Sequence, residues 1–255
     1  MEESVDPTVV RLDGFHALKH AIRFGAELVS AHSERFEETL ALARQLAPDV
    51  ERWLREHLQH VEPGYISSLS SEVHPTRVVA FARRPVVQLA SFEAATTPGV
   101  LLEDPRHLGN VGASIRVAAA LGASGVITTG PVDPWRSDSI RGSAGLHFAL
   151  PVVGRVDIDE LATLSNPLVA LDPEGDDISL ASLAPNSLLC FGTERDGVSH
   201  SLLQRCTSKV RLPMRHGVSS MNLATSVSAT LFYLSSGPLR DCFELDRSPR
   251  REPIL

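Results

Sequence analysis

From about residue 100 to residue 212 the chain repeats one pattern: a short apolar or β-branched run, a turn bearing Gly, Pro or Asp, then a helical periodicity. The runs fall at residues 100–103, 125–129, 148–153, 168–171, 187–191 and 209–212, with helices expected around 110–122, 157–164, 199–206 and 220–235. Continuous apolar strands of this length must be covered on both faces, and intervening helices supply the cover. The pattern therefore predicts an α/β fold with a parallel or mostly parallel sheet.

The preceding residues read differently. Residues 8–25 suggest a strand, a turn at Asp13-Gly14 and a helix whose Phe15, Leu18 and Ile22 share one face. A helical region over residues 34–58 is broken at Pro48, and residues 77–82 form an expected strand ahead of Arg83 and Arg84. The small, polar, Pro-bearing stretch SFEAATTPG is the best linker, with a boundary near residue 95. This divides the chain into a small α/β unit (1–95), a larger α/β unit (96–240) and a charged tail (241–255).

The chain is 43% apolar, enough for an ordinary core. No apolar run approaches the roughly 20 residues of a membrane helix, and the acidic N-terminus lacks an apolar signal core, so a cytoplasmic protein without membrane association is expected. Cys190, Cys206 and Cys242 are odd in number and lack metal-type spacing; they read as reduced thiols. His57 and His60 lack further ligands at a convincing spacing, so no metal is expected. A net charge of −7 is not the basic footprint of a nucleic-acid binder. Only Lys19 and Lys209 among the 24 basic residues are lysines. Arginine suits bidentate phosphate contacts, but codon bias explains the balance equally well.

Three segments carry candidate chemistry. In residues 101–122, a buried run ends at Glu103-Asp104-Pro105, a loop carries Gly109, Asn110 and Gly112, and a helix carries Arg116 in its second turn. This is an anion-handling layout, or equally a tight turn with a surface arginine; its glycine spacing is not that of a dinucleotide fingerprint. In residues 188–199, an apolar strand runs into Gly192, Glu194 and Gly197, with Ser199 placed to cap a helix. Such loops bind ligands at the C-terminal ends of parallel strands, although Gly, Asp and Ser also make ordinary turns. In residues 210–223, a strand ends at Pro213-Met214, and Ser220 and Asn222 precede a helix, where polar residues commonly serve as caps.

Together, N-x-G-x-x-x-R (Asn110, Gly112, Arg116), G-x-E-x-x-G-V-S (Gly192, Glu194, Gly197, Val198, Ser199) and P-M followed by S-M-N (Pro213, Met214, Ser220, Met221, Asn222) occur in that order. With Gly142-Ser143-Ala144-Gly145 between them, this arrangement resembles the SpoU/TrmH family of the SPOUT methyltransferases over residues 98–236. Thr193 stands where Asn is frequent in that family, and Met221 where Leu is usual. The resemblance implies an α/β fold threaded as a deep trefoil knot, a homodimer, and methyl transfer from S-adenosylmethionine to a ribose 2′-hydroxyl in RNA.

The implied cofactor contacts are Phe191, Gly192, Thr193, Glu194, Gly197, Leu212, Pro213, Met214, Ser220, Met221 and Leu223. The implied catalytic set is Asn110, Arg116, Glu194, Ser220 and Asn222. The first unit is similar to the L30e-like substrate domains of these enzymes, which makes rRNA the expected partner ahead of tRNA; Arg83, Arg84 and Arg116 are the candidate RNA contacts. The resemblance extends to enzymes that protect ribosomes from antibiotics, a role to which no residue here points. The competing readings are an RNA-binding or ribosome-assembly factor without catalysis, and a nucleotide-dependent enzyme of doubly wound type. The motif set argues against the first and the glycine spacing against the second.

Overall fold

The computed structural model describes residues 6–69, 72–193, 196–218 and 220–243. They form two sheets. The first contains β1 (Val9–Asp13), β2 (Leu28–Ser33), β3 (Gln59–His60) and β4 (Val78–Arg83) in the order β1-β4-β2-β3. Helix α1 (Phe15–Arg23) follows β1 and buries Phe15, Ala17, Leu18 and Ala21. Helices α2 (Phe36–Leu46) and α3 (Pro48–His57) meet at Ala47. The break arises because Pro48 has no N–H to continue α2 but suits the first turn of α3. A short helix, α4 (Tyr65–Leu69), precedes β4.

The second sheet contains β5 (Gly99–Leu102), β6 (Val126–Thr129), β7 (Val152–Val156), β8 (Leu168–Asp177), β9 (Leu188–Phe191) and β10 (Ser208–Arg211). Its order is β10-β8-β9-β5-β6-β7, and every neighbouring pair is parallel. All residues of β5, β6 and β9 are buried, as a sheet covered on both faces requires; each large side chain such as Leu101 or Ile127 contributes about 1.5–3 kcal/mol by leaving water. Helices α5 (Leu108–Ala120), α6 (Ser137–Gly142), α7 (His200–Leu203) and α8 (Leu223–Ser236) cover it.

Several sequence expectations shift. The strand expected at 148–153 starts at Val152, because Pro151 cannot donate to the ladder; Leu146–Phe148 is a 3-10 turn instead. The helix expected at 157–164 is one 3-10 turn, Glu160–Thr163, and α7 spans only four residues. β2, β3, α4 and α6 were not anticipated.

Register places one irregularity that matters below. β8 pairs Ala170 with Lys209, then Asp176 with Val210, the very next residue of β10. Residues 171–175 therefore bow out of the ladder as a long bulge.

The two sheets are joined by a single hydrophobic cluster and by polar contacts. His20 Nδ1 is 2.7 Å from Ala144 O. The Arg84 guanidinium donates to Asp133 at 2.9 Å and lies 5.6 Å from the Trp135 ring centroid. Arg141 bonds Glu72 across the same seam.

Candidate active site

In open parallel sheets, ligands collect beyond the C-terminal ends of the strands, where connections part to either side. Here the ends of β8, β9 and β10 lie side by side. β9 delivers Phe191, Gly192 and Thr193 into a turn closed by Thr193 N–H donating to Gly197 O (3.0 Å) and Gly197 N–H donating to Thr193 O (3.1 Å). A Cβ at Gly192 would stand 1.9 Å from the Gly197 carbonyl carbon, so only glycine allows the turn to fold back so closely. Glu194 lies outside the described residues.

The far end of this turn is pinned by Glu103, at the end of β5. Its carboxylate is only 5% exposed and accepts from Ser199 N–H at 2.7 Å and from the Ser199 hydroxyl. The Ser199 hydroxyl oxygen in turn caps α7 by accepting from Leu202 N–H at 3.2 Å. Sequence reasoning missed Glu103; its signal was a carboxylate ending a fully apolar run, one strand away from the motif it holds.

The β9 turn, the end of β10 and the start of α8 enclose a cavity of about 490 Å³. Phe191, Gly192, Thr193, Gly197, Leu212, Met214, Ser220, Met221 and Leu223, all expected at a cofactor, line it. Pro213 does not. Asp196, Val198, Arg211 and Ser226 complete the wall, together with Leu171, Asp172, Pro173 and Glu174 of the β8 bulge, none of them anticipated. The polar tract Asp172-Pro173-Glu174 reads as a loop beyond a short strand, which hid it.

Asn222 caps α8: its Oδ1 accepts from Ala224 N–H at 3.0 Å and from Thr225 N–H at 3.4 Å. That role fixes the orientation of its amide, so Nδ2 donates to Asn110 Oδ1 at 3.0 Å. Asn110 sits in the first turn of α5 on a second, open cavity with Arg106, His107, Asp138 and Arg141. The first and third motifs thus meet through this pair of amides.

The second cavity owes its shape to a close helix contact. A Cβ on Gly112 would lie 2.2 Å from Ser139 O, so the motif glycine lets α5 press onto α6. Beneath α6, His147 is fully buried. Its Nε2 donates to Pro134 O at 2.8 Å and its Nδ1 is 2.7 Å from the Ser143 hydroxyl. Burial pushes its pKa down to about 4, against a smaller opposing contribution from the Pro134 hydrogen bond.

Arg116 stands apart. It is exposed on α5, lines neither cavity and makes no ion pair among the described residues. It faces the α1 side: His16 is lowered by burial first, then by repulsion from Lys19, His74 and Arg116. Lys19 is lowered by burial, then by Arg23, with a smaller repulsion from Arg116 and an opposing attraction from Asp49. Arg83 pairs with Glu27 at 2.8 Å, and Arg84 is engaged in the seam described above. Among the described residues no group of His, Cys, Asp and Glu could hold a metal ion, and no helix is long and apolar enough to cross a membrane.

The sequence pattern of the SpoU rRNA Methylase family matches residues 98–232, which contain all three motifs. A 23S rRNA (adenosine(1067)-2′-O)-methyltransferase of Streptomyces azureus is 34% identical over 86% of this chain and 83% of its own. A 23S rRNA (uridine(2479)-2′-O)-methyltransferase of Streptomyces viridochromogenes is 31% identical over 72% of this chain and 71% of its own. Among solved structures, the SpoU methyltransferase AviRb of Streptomyces viridochromogenes in complex with the cofactor AdoMet superposes with a TM-score of 0.73 at 27% identity, covering 88% of each chain.

Proposed function

Because the chain belongs to the SpoU rRNA methylase family, we propose that it transfers a methyl group from S-adenosylmethionine to a ribose 2′-hydroxyl of RNA, with rRNA as the substrate. The observation that carries this reading is the cavity built from the β9 turn, the end of β10 and the start of α8. Its volume of about 490 Å³ lies within the range of small-molecule sites. The residues present fit the cofactor: Phe191, Leu212, Met214, Met221 and Leu223 offer apolar walls for an adenosine, and Ser220, Ser226 and the strand-end backbone offer polar contacts. When bound, the cofactor supplies an electrophilic methyl carbon whose bond to sulfur breaks as the bond to the ribose oxygen forms.

The chain's own residues then have three tasks. Asn110 and Asn222, bonded to each other, hold the start of α5 at the start of α8 and so fix the line of attack. Arg116 orients the hydroxyl and stabilises the developing oxyanion, while the proton leaves to a neighbouring RNA phosphate. Ser220 shapes the cofactor pocket, and Glu194 is assigned to fixing Arg116 and the substrate.

Arg116 reaches such a site as the partner's residue in a homodimer, a reading supported by its distance from its own cavity and by Phe232, 62% exposed on α8. The expected deep knot is supported by the path of the chain, which crosses from central β9 to edge strand β10 and returns in α8 to pack on α5. Residues 1–95 would recruit a structured RNA, and a cytoplasmic setting follows from that substrate.

Tritiated-methyl transfer to total RNA, followed by nuclease mapping, tests the reading. Label in a 2′-O-methylated rRNA nucleotide is expected. Label confined to tRNA would overturn the choice of substrate, and no saturable S-adenosylmethionine binding would overturn the activity.

A further inference from the structure

We propose that His16 and Lys19 on α1 form, with Arg116 on α5, a binding site for the RNA backbone phosphate beside the target ribose. The inference rests on the methyl-transfer reading above for the ribose, and on the geometry and charge of one surface for the phosphate.

Two helices that flank different sheets meet on one turn. Gly145 abuts α1 so closely that a Cβ there would lie 2.6 Å from Ala17 O, and His20 Nδ1 is 2.7 Å from Ala144 O. On α5, Gly112 meets the same turn: a Cβ there would lie 2.9 Å from Gly142 Cα and from Ser143 N. Arg116 is four residues beyond Gly112, one helical turn along that face, and is exposed. His16 and Lys19 are three residues apart and share one face of α1, while Ala17, Leu18 and Ala21 are buried. His16 is exposed and Lys19 half-buried. Both stand within electrostatic reach of Arg116, whose repulsion acts on each of them behind burial and nearer charges.

The positive charge here is not cancelled. Among the described residues, neither Lys19 nor Arg116 has a carboxylate within ion-pair distance. Asp49, whose attraction Lys19 feels, is held by Arg23 at 2.6 and 2.8 Å, and Glu72, two residues before His74, is held by Arg141. The arginines that the sequence singled out ahead of the linker are spent in the same way, Arg83 on Glu27 and Arg84 on Asp133. A chain of net charge −7 therefore keeps a basic patch beside the arginine of its first motif. A phosphate entering between the helices relieves the repulsion among these groups and takes hydrogen bonds from His16 and Lys19. The patch is open and lies outside both cavities, which suits one phosphate of a polymer better than an enclosed small molecule. Phosphate contacts set the register of a bound strand, so the adjoining ribose is delivered to Arg116.

Filter binding of the full chain to protein-free ribosomal RNA over a range of salt, with methyl-transfer kinetics on the same RNA, tests this. The chain's two lysines supply the control, because Lys19→Gln and Lys209→Gln remove the same charge from different places. Lys19→Gln is expected to weaken RNA binding roughly three- to tenfold and to lower the salt slope by about 0.7–0.9, as one lost phosphate contact should. Lys19→Arg should restore most of that loss. His16→Gln should weaken binding by about two- to fivefold, and Lys209→Gln should stay within about twofold. In transfer kinetics the Lys19→Gln loss should fall on the KM for RNA, with S-adenosylmethionine affinity and melting temperature unchanged. Equal losses from the two lysine variants would report overall charge and overturn the proposal. So would no loss from Lys19→Gln, a matching loss of cofactor affinity, or an unaltered chain that does not bind the RNA. If the unaltered chain bound the RNA with these differences but transferred no methyl group, the methyl-transfer reading would fall and the phosphate site would stand.

Discussion

Asn222 and Asn110 lie 112 residues apart in sequence and share a hydrogen bond of 3.0 Å. One amide does two things: its oxygen starts α8, and its nitrogen holds the first turn of α5 at the second cavity. Asn222→Asp separates them, because a carboxylate still caps but cannot donate. The variant is expected to melt within a few degrees of the unaltered protein and to lose tenfold or more of its methyl-transfer rate. Asn222→Ala should cost about 1 kcal/mol in addition, from the lost cap.

Glu103 fastens the β9 turn to β5 from beneath. Glu103→Ala leaves the half-buried Ser199 N–H without its acceptor and the Ser199 hydroxyl with only Ser201 beside it, at about 1 kcal/mol. Glu103→Gln keeps one acceptor oxygen and should cost less. Urea unfolding reads the stability, and cofactor titration should show weaker binding in the same rank order.

His147 makes stability depend on pH. Its folded pKa of about 4 lies below the ordinary 6.5, so between these values the unfolded chain binds more protons. Its contribution is complete above pH 6.5 and is lost as the pH falls towards 4, by about 3 kcal/mol at most. Chemical denaturation across that window should show the decline. His147→Gln, which cannot take up a proton there, should flatten it while lowering stability at neutral pH.

Arg116→Ala should abolish methyl transfer and spare cofactor affinity. Gly192→Ala, which puts a Cβ into the Gly197 backbone, should do the reverse and abolish binding. If Arg116 acts on the partner's cavity, mixing the two inactive variants should restore part of the activity, because one of the two sites in a mixed dimer is then intact. No recovery on mixing would place Arg116 with its own cavity.

The parallel sheet was legible because strands buried on both faces leave unbroken apolar runs, as in residues 100–103 and 187–191. The cavity was legible for a related reason: Gly192, Met214 and Ser220 follow the ends of such runs. What stayed hidden is non-local or too short for a period. The bulge at Asp172 to Glu174 is polar and loop-like in sequence, and only its pairing with β10 makes it part of a strand. α6 has six residues, fewer than two turns of helical pattern. The contacts of Arg84 with Asp133 and Trp135 join segments about 50 residues apart, and nothing local announces them. Arg116 was placed correctly on a helix, but a helix position does not say which cavity it serves.

The seam between the two sheets has its own consequence. His20 on Ala144, Arg84 between Asp133 and Trp135, and Arg141 on Glu72 fasten the first sheet to the α6 region, which also borders the second cavity. Two surfaces joined this way act as a ruler. On the role proposed for residues 1–95, an RNA resting on the first sheet would have to present its target ribose at one set distance and angle, so that a folded RNA would be measured by its span and shape, and a matching sequence on a differently bent strand would fall short of the mark.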